Sequence, residues 1–250
     1  MESSFNPFTL SGKTILVTGA SSGIGRAVAV QCSLMGAKII ATGRNGNRLQ
    51  DTLSMLAGEG HAAVIADLST DTGRLNLIGA IPKLDGVVHC AGIGQRVLCK
   101  AVEASDISDV MDINFSAAVL LQSALLSEKK INKEASIIFM SSRAAAVPSI
   151  ANSLYSASKA AIESYSRCLS LELAARKVRV NCICPAMVWT DLIISEGATK
   201  EQLEEAQKQY PLGRYGSPED IANLAIFLLS DASSWMTGSS IDITGGSITL

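Results

Sequence analysis

Short apolar runs rich in β-branched residues alternate along the chain with longer segments of helical periodicity. The runs that predict strands are Thr14–Thr18, Lys38–Thr42, Ala62–Ala66, Gly86–His89, Ser136–Met140, Val178–Ile183 and Ser240–Ile243. Helical periodicity occupies the intervals near 24–35, 46–57, 71–80, 105–129, 153–176 and 218–230. Strands that are apolar on both faces need helices on both sides of their sheet. The alternation therefore predicts an α/β fold, a single-domain Rossmann-type doubly wound parallel sheet of about seven strands with helices on both faces.

Residues 187–217 interrupt this alternation. Glycines and prolines punctuate a polar stretch there, in which residues 201–209 predict a short surface helix. A connection of this length within a compact domain usually carries function or moves. Because no linker separates two parts of the chain, we expect one domain over residues 1–250, with a variable segment at about 187–217 that covers the substrate.

Charge and composition exclude several classes of partner. The 21 basic and 23 acidic side chains give a net charge of −2, without the basic stripe that binds nucleic acid. No apolar run is long enough to span a membrane, and the first residues lack the pattern of a secretory signal. The six cysteines and two histidines lack metal-type spacing, so we expect no metal site and buried free thiols in a reducing compartment. The expectation is a cytoplasmic protein without a nucleic-acid or membrane partner.

The first predicted strand runs directly into a glycine-rich turn, and a helix follows. Glycines let the backbone turn tightly and approach a pyrophosphate, while a helix N-terminus offers unpaired N–H groups to phosphate oxygens. The three glycines are spaced differently from the common GxGxxG pattern, but their place at the first strand–helix junction predicts a dinucleotide site. The candidate contacts are Gly19, Ser21, Ser22, Gly23, Ile24 and Gly25.

The end of the second predicted strand bears on the choice of dinucleotide. An acidic side chain there would accept a hydrogen bond from a free ribose 2′-hydroxyl, but the chain has Gly43 and then Arg44. A guanidinium pairs with a 2′-phosphate, so Arg44 favours NADP(H), with NAD(H) as the alternative if Arg44 is only a solvated loop charge. Asp67 follows the third strand, where it can cap the next helical turn, accept a bond from adenine, or do both.

Three polar side chains predict proton-transfer chemistry. Ser142 ends the fifth strand, at the carboxyl edge where open α/β sheets bind ligands. Tyr155 and Lys159 follow with a spacing of four, which puts the phenol and the ammonium on one helical face. A nearby cation favours the phenolate, so it lowers the tyrosine pKa and makes proton transfer usable near neutrality. The pair alone is a weak signal, but its order after the glycine turn and the serine is specific.

These pieces together resemble the short-chain dehydrogenase/reductase family over nearly the whole chain. The matching residues are Thr18–Gly25, Cys90–Gly92, Asn114, Ser142, Tyr155–Lys159 and Pro185–Thr190. The resemblance implies that Tyr155 is the general acid/base, that Ser142 orients the carbonyl, and that Lys159 binds the nicotinamide ribose. It also implies that Asn114 holds a water molecule of a proton relay. The further cofactor contacts that it implies are Leu68, Cys90, Ala91, Gly92, Tyr155, Lys159, Pro185, Val188 and Thr190.

The C-terminal motifs, between Pro211 and Gly246, resemble the branch that includes 3-oxoacyl-acyl-carrier-protein reductases of fatty acid biosynthesis. The implied activity is NADPH-dependent reduction of a ketone, either a 3-oxoacyl thioester on acyl carrier protein or a small keto compound. Sugar, polyol and other secondary-alcohol dehydrogenases belong to the same family, and a non-catalytic nucleotide sensor is a further alternative. Family members pair through their two long helices, so we expect a homotetramer or a homodimer.

Two residues depart from the family's pattern. Cys90 stands where asparagine is usual, which puts local rigidity in doubt, and Ala186 stands where glycine is usual, which adds a methyl group near the nicotinamide. Neither change removes a proton-transfer group. Arg143 directly follows the catalytic-type serine, where it either pairs with an anionic substrate or makes a structural salt bridge. The apolar side chains of the variable segment either anchor it or close over the substrate; they are Trp189, Leu192, Ile193 and Ile194.

Overall fold

Seven parallel strands form one sheet in a computed structural model that describes residues 6–195 and 199–247. The strands are β1 (Thr14–Thr18), β2 (Lys38–Gly43), β3 (Ala62–Ile65), β4 (Leu84–His89), β5 (Ile131–Met140), β6 (Arg179–Pro185) and β7 (Ser240–Ile243). Their order across the sheet is β3-β2-β1-β4-β5-β6-β7, and every neighbouring pair is parallel. The predicted Rossmann-type doubly wound sheet is therefore confirmed.

The helices follow the strands as the periodicity predicts. They are α1 (Gly23–Leu34), α2 (Gly46–Ser54), α3 (Asp71–Ala80), α4 (Ala104–Met111), α5 (Ala117–Ser127), α6 (Ser153–Leu173), α7 (Asp191–Ser195), α8 (Lys200–Gln207) and α9 (Pro218–Leu229). Several begin with a polar cap; Ser217, for example, accepts a hydrogen bond from the N–H of Asp220, which satisfies a donor that the first turn leaves unpaired.

The sheet separates two apolar cores because successive strand residues point to opposite faces. On one face, Ile15 and Val17 of β1 belong to a buried cluster with α1 and α9. On the other face, Leu16 packs in a second cluster that includes Leu77 of α3 and Leu121 of α5. Burial of each such side chain contributes about 2 kcal/mol. Both faces of β1 are covered, so its carboxyl end is held rigidly at the edge of the sheet.

The main differences from the sequence prediction lie at breaks within regular elements. The helix predicted over 105–129 is interrupted by a π-helical turn at Asp112–Ser116 between α4 and α5. Strand β5 begins at Ile131, five residues before the prediction, and its register with β4 shifts near Leu84. Neither a π turn nor a strand irregularity changes apolar periodicity enough to be read from the chain.

The helical stretch Ala104–Ser127 is long and apolar enough to cross a membrane by length and composition alone, and 33% of its most apolar window is buried in the chain. Core helices of water-soluble proteins pass the same test, so this stretch is weak support for a span.

The six cysteines, all within the described residues, are unpaired thiols. Three of them are buried, whereas Cys99 and Cys168 are exposed, contrary to the expectation of burial for all six.

His89, the last residue of β4, is a buried ring that the fold keeps neutral. The imidazole stacks on Phe139 of β5 with 4.5 Å between ring centroids, and its Nε2 lies 3.1 Å from Oε1 of Gln122. The Nδ1 atom is buried and has no partner among the described residues. Burial disfavours the charged form and lowers the pKa of His89 from 6.5 to about 4.

We expect the stability of the fold to fall as the pH drops from 7 to 5. The unfolded chain takes up a proton on His89 near pH 6.5, while the folded chain resists protonation down to about pH 4. The free energy of unfolding should therefore decrease by roughly 2 kcal/mol over this interval. Urea unfolding at pH 7, 6 and 5 measures the slope, and His89→Gln should flatten it while keeping a partner for Gln122. An unchanged slope in the variant would assign the effect to other groups.

Candidate active site

The turn between β1 and α1 has no room for side chains at its glycines. Gly19 has φ +65°, and a Cβ atom there would lie 2.8 Å from the backbone nitrogen of Ala91. A Cβ atom at Gly25 would lie 2.3 Å from the carbonyl oxygen of Gly19. Ser22 precedes α1, yet its side chain makes no cap hydrogen bond, which leaves the first N–H groups of the helix available to a ligand. This geometry suits a pyrophosphate.

Thr18 ties the glycine turn to the end of β4. Its Oγ1 accepts hydrogen bonds from the N–H groups of Cys90 and Ala91, at 3.1 and 3.3 Å. The two strand ends are thereby fixed side by side without an asparagine at position 90. The Cys90 thiol is buried, which raises its pKa to about 12, so it carries no charge near neutrality.

A cleft of about 390 Å³ runs along this edge of the sheet. The sequence-predicted cofactor residues that line it are Gly19, Ser21, Ser22, Gly23, Ile24, Gly25, Arg44, Asp67, Leu68, Cys90, Ala91, Gly92 and Thr190. The remaining predicted contacts, Tyr155, Lys159, Pro185 and Val188, line an adjoining cavity of about 510 Å³. The structure therefore brings all of the predicted cofactor residues to two connected spaces, and these spaces fit a dinucleotide.

The cleft holds two arginines at the end expected for adenosine, of which sequence reasoning found one. Arg44 follows β2, and Arg48 on α2 lines the cleft beside it and also lies 3.5 Å from Asp191 of α7. The sequence signal that could have revealed Arg48 is its position four residues after Arg44.

Asp67 does not cap α3, because the side chain of Thr70 does so. The Asp67 carboxylate accepts hydrogen bonds from the hydroxyl and the N–H of Ser69, and these bonds lower the pKa of Asp67.

Ser142, Tyr155 and Lys159 line the adjoining cavity together. Helix α6 places Tyr155 and Lys159 one turn apart, with the Lys159 Nζ atom 5.5 Å from the centroid of the tyrosine ring. The Ser142 hydroxyl oxygen accepts a hydrogen bond of 3.1 Å from the N–H of Ala144, which fixes its position at the end of β5. The serine at the end of β5 and the tyrosine on α6 thus line one space.

Lys159 is a buried ammonium group, 5% exposed. Its Nζ atom donates a 2.9 Å hydrogen bond to the carbonyl oxygen of Met140, the last residue of β5. Burial lowers the pKa of Lys159 to about 8. No carboxylate is among the groups that oppose this shift. Lys159 is therefore a cation at neutral pH whose charge acts at short range, in a poorly solvated place beside Tyr155.

Asn114 lies in the π-helical turn and lines neither space directly. Its Oδ1 accepts a 2.8 Å hydrogen bond from the N–H of Ile93, and its Nδ2 donates to the Ile93 carbonyl and to Ser158 on α6. A Cβ atom at Gly92 would lie 3.1 Å from Asn114 Oδ1 and 3.4 Å from Lys159 Nζ. The asparagine side chain therefore joins the loop after β4 to the helix that carries the lysine.

The described residues of the variable segment, 187–195 and 199–217, pack next to the cavity around a small core of their own. Ile193, Leu203 and Tyr215 form this core, and the indole N–H of Trp189 donates a 3.0 Å bond to Gln207. Trp189 thus anchors the segment and is not among the residues that line the cavity, whereas Leu192 and Ile193 are. The anchoring role thus holds for Trp189, and closure over the substrate stays a prediction for the side chains that line the cavity.

Arg143 makes the salt bridge that was one of its two expected roles. Its Nη1 atom lies 2.9 Å from Oδ2 of Asp242 on β7. Arg143 also lines the cavity, together with Arg96 from the loop after β4 and with Ala186, whose N–H bonds to the carbonyl of Ile243. The salt bridge therefore does not separate Arg143 from the site.

Known proteins share this architecture. A family model described as enoyl-(acyl carrier protein) reductase matches residues 19–247. A 3-oxoacyl-acyl-carrier-protein reductase of Rickettsia felis is 35% identical over 237 residues, which cover 95% of this chain and 97% of the relative. A tropinone reductase homologue of Arabidopsis thaliana is 32% identical, with 96% and 93% covered. One solved structure is described as a putative NAD(P)-dependent gluconate 5-dehydrogenase from Beutenbergia cavernae with NADP bound at low occupancy. It is 33% identical to this chain, the match covers 96% of this chain and 98% of the other, and the TM-score is 0.85.

The chain therefore belongs to the short-chain dehydrogenase/reductase family, as the motifs indicated. Within that class it is an NAD(P)-dependent oxidoreductase, with a nicotinamide dinucleotide as its cofactor.

We expect Gly19→Ala to weaken NADPH binding at least tenfold. A methyl group at this position meets the Ala91 backbone, and a positive φ costs a non-glycine residue about 1–2 kcal/mol. Gly79→Ala on α3 is the matched control, because nothing lies within 4 Å of the added Cβ, and alanine should favour the helix. Cofactor fluorescence titration and thermal unfolding measure both effects. Equal NADPH affinity in the two variants would contradict the assignment of the turn.

Proposed function

We propose that this protein is an NADPH-dependent reductase of a ketone. The observation that carries the proposal is the shared cavity of Ser142, Tyr155 and Lys159, which opens onto the dinucleotide cleft. Ile24, Cys90, Gly92, Thr190 and Leu192 line both spaces, so the two ligands would meet there. When bound, NADPH supplies a hydride to the carbonyl carbon.

The chain's own residues handle the oxygen of the carbonyl. The Ser142 hydroxyl donates a hydrogen bond to this oxygen, and Tyr155 gives it a proton as negative charge develops. The positive charge of Lys159 favours the tyrosinate that remains, and the same ammonium holds the ribose of the cofactor. Asn114 holds the water through which Tyr155 regains its proton. The Asn114 Oδ1 and Lys159 Nζ atoms both lie next to Gly92, 3.1 and 3.4 Å from where a Cβ atom would stand, and this closeness supports the relay.

Two arginines support the preference for NADP(H) over NAD(H). Arg44 and Arg48 both line the cleft where the 2′-phosphate would lie, and a guanidinium matches a phosphate better than a hydroxyl. Asp67 and Ser69 line the cleft as well, with Asp67 in position to accept a bond from adenine.

The substrate is a 3-oxoacyl thioester or a small keto compound. The Rickettsia relative named for 3-oxoacyl-acyl-carrier-protein reduction supports the first, with acyl carrier protein as the partner. Oxidation of a sugar or another secondary alcohol by the same groups is the second candidate, which the gluconate 5-dehydrogenase neighbour favours. Segment 187–217 covers the substrate in either case, because Leu192 and Ile193 reach the cavity from it.

Exposed apolar side chains on the long helices support a homotetramer or homodimer. They include Ile107 on α4, Leu120 on α5 and Leu171 on α6. A second copy would remove them from water and so cover the apolar stretch Ala104–Ser127. The unpaired thiols are in keeping with a cytoplasmic location.

Tyr155→Phe should lower kcat for ketone reduction at least 100-fold and leave NADPH affinity unchanged. The variant loses the proton donor but keeps the ring beside Lys159. Tyr165→Phe removes a hydroxyl from the same helix outside the cavity, so it should retain activity. NADPH oxidation with an acetoacetyl thioester, a β-keto ester, a keto-sugar and a cyclic diketone provides the assay. Full activity of Tyr155→Phe would exclude the proposed acid, and tight cofactor binding without any turnover by the wild type would favour a sensor.

Arg44→Ala should weaken NADPH binding at least tenfold and change NADH binding little, because only NADPH has the 2′-phosphate. Arg48→Ala should act in the same direction, and the double variant should bind both cofactors alike. Titration of cofactor fluorescence gives the dissociation constants of NADPH and NADH for each protein. An equal loss for NADPH and NADH would refute the 2′-phosphate assignment.

A further inference from the structure

Glu163 is a carboxylate inside the protein that the proposed reaction does not use. It lies on α6, four residues after Lys159, and its side chain is 15% exposed. It is not among the described residues that line the dinucleotide cleft or the cavity beside Tyr155. A charged group in such a place is costly unless hydrogen bonds satisfy it, and an apolar side chain could fill the same space. The partners of Glu163 therefore indicate why a carboxylate stands here.

These partners come from the ends of two strands. The Ser141 hydroxyl, directly after β5, donates a 2.7 Å hydrogen bond to Oε1 of Glu163, and the Cys184 thiol of β6 donates to the same oxygen at 3.3 Å. Burial and the nearby Glu163 carboxylate raise the pKa of the Cys184 thiol, which therefore keeps its proton and remains a donor. The other oxygen, Oε2, lies 3.7 Å from Nη1 of Arg167 on α6. One carboxylate thus joins α6 to the ends of β5 and β6.

Ser141 directly precedes Ser142, so the bonds that hold Ser141 also hold the serine that faces the carbonyl oxygen of the substrate. The N–H of Ser141 donates a 2.8 Å bond to the carbonyl oxygen of Ile183 on β6. Its hydroxyl oxygen lies 3.2 Å from the carbonyl oxygen of Lys159, which is further than the Glu163 carboxylate. A short hydrogen bond to a charged acceptor is the stronger kind. Glu163 is therefore the main side-chain partner that fixes Ser141 against α6.

A second bond between β5 and α6 involves a group that the cofactor also needs. The Lys159 ammonium donates to the carbonyl oxygen of Met140, and in the proposed reaction it also holds the ribose. The bond between Ser141 and Glu163 belongs to the protein alone, because neither residue is among the described residues that line the dinucleotide cleft. This bond can hold the strand end against the helix whether or not a dinucleotide is bound.

We propose that Glu163 is a positioning residue, which sets the distance between Ser142 and Tyr155. It acts through Ser141, with the Cys184 thiol as a further support. The inference rests on the proposed function, since it concerns the alignment of the same groups. Ser142 and Tyr155 act on one carbonyl oxygen, so a shift of the strand end relative to α6 takes one of them out of hydrogen-bond reach. Such a shift slows the chemical step and leaves binding of the dinucleotide unchanged.

A carboxylate that served only the stability of the fold would behave differently. Its loss would lower the free energy of unfolding and leave kcat of the folded enzyme unchanged. Loss of a positioning residue lowers kcat even where an apolar substitute packs in its place without destabilising the protein. Thermal unfolding, kcat, KM and the NADPH dissociation constant, measured separately on each variant, therefore distinguish the two roles.

The first experiment compares two substitutions of Glu163, with NADPH and the ketone that the wild type reduces best. Glu163→Met removes both acceptor oxygens and should lower kcat about tenfold or more, with NADPH affinity unchanged. Its isotope effect with NADPH deuterated at the transferred position should exceed that of the wild type, because the chemical step then limits turnover. Glu163→Gln keeps an acceptor oxygen for Ser141 and should retain most of the activity. Wild-type kcat in Glu163→Met would overturn the proposal, and so would an equal loss in both variants, which would assign the effect to the negative charge.

Glu134→Met is the matched control. It removes an exposed carboxylate near the other end of β5, where Glu134 pairs with Lys177, and should leave kcat and the isotope effect unchanged. An equal loss of kcat in this control would overturn the assignment to Glu163.

The second experiment tests the route through Ser141. Ser141→Ala removes the donor and should lower kcat, and addition of Glu163→Met should then lower it little further, because the two residues share one bond. Effects on kcat that multiply would overturn this route. If Glu163→Met does not fold, Ser141→Ala decides alone, since wild-type kcat and a wild-type isotope effect in this variant would contradict the proposal.

A third measurement separates the failure of this proposal from the failure of the proposed function, which would show as a wild type that reduces no ketone. Crystal structures of the NADP⁺-bound wild type, Glu163→Gln and Glu163→Met give the distance between Ser142 Oγ and Tyr155 Oη without any turnover. We expect this distance to be the same in the wild type and Glu163→Gln and longer in Glu163→Met. An unchanged distance in Glu163→Met would overturn the positioning role.

Discussion

The pairing of β1 with β4 fixes the place at which the cofactor cleft begins. Thr18 lies opposite His89 in this parallel pair. The Thr18 hydroxyl oxygen accepts hydrogen bonds from the N–H groups of Cys90 and Ala91, the two residues that directly follow β4. Gly19 can then approach Ala91 so closely that no Cβ atom would fit. A shift of this register by one residue would turn every side chain of β1 to the other face and separate the turn from its partner.

A buried charge organises the second part of the site. Lys159 is almost entirely removed from water, and the one hydrogen bond that its ammonium group makes with the described residues runs to the Met140 carbonyl. This bond joins α6 to the end of β5, next to Ser142, so the position of the cation and that of the serine depend on each other. The neighbouring thiols of Cys90, Cys182 and Cys184 are neutral because burial raises their pKa values. A charge in such surroundings is weakly screened, which strengthens its effect on Tyr155.

Much of this arrangement could be predicted from the sequence because period-2 and period-3.6 patterns and a glycine turn are local signals. Strands β1 and β7 were predicted to the residue, and the residues of the turn line the cleft. Features that depend on packing between distant segments could not be predicted. The contact of Arg48 with Asp191, the role of Trp189 as an anchor and the π turn around Asn114 are of this kind, since no short pattern specifies them.

The salt bridge between Arg143 and Asp242 joins residues that lie 99 positions apart in the chain. Strand β7, which carries Asp242, leaves the ribosome after β5 and the turn that carries Arg143, so the nascent chain at first presents Arg143 without its carboxylate. Contacts of such sequence separation form late and slow the search for the native state. The cavity beside Tyr155 therefore acquires this ion pair only after β7 has been synthesised, and a chain truncated before residue 240 would lack the carboxylate that pairs with Arg143.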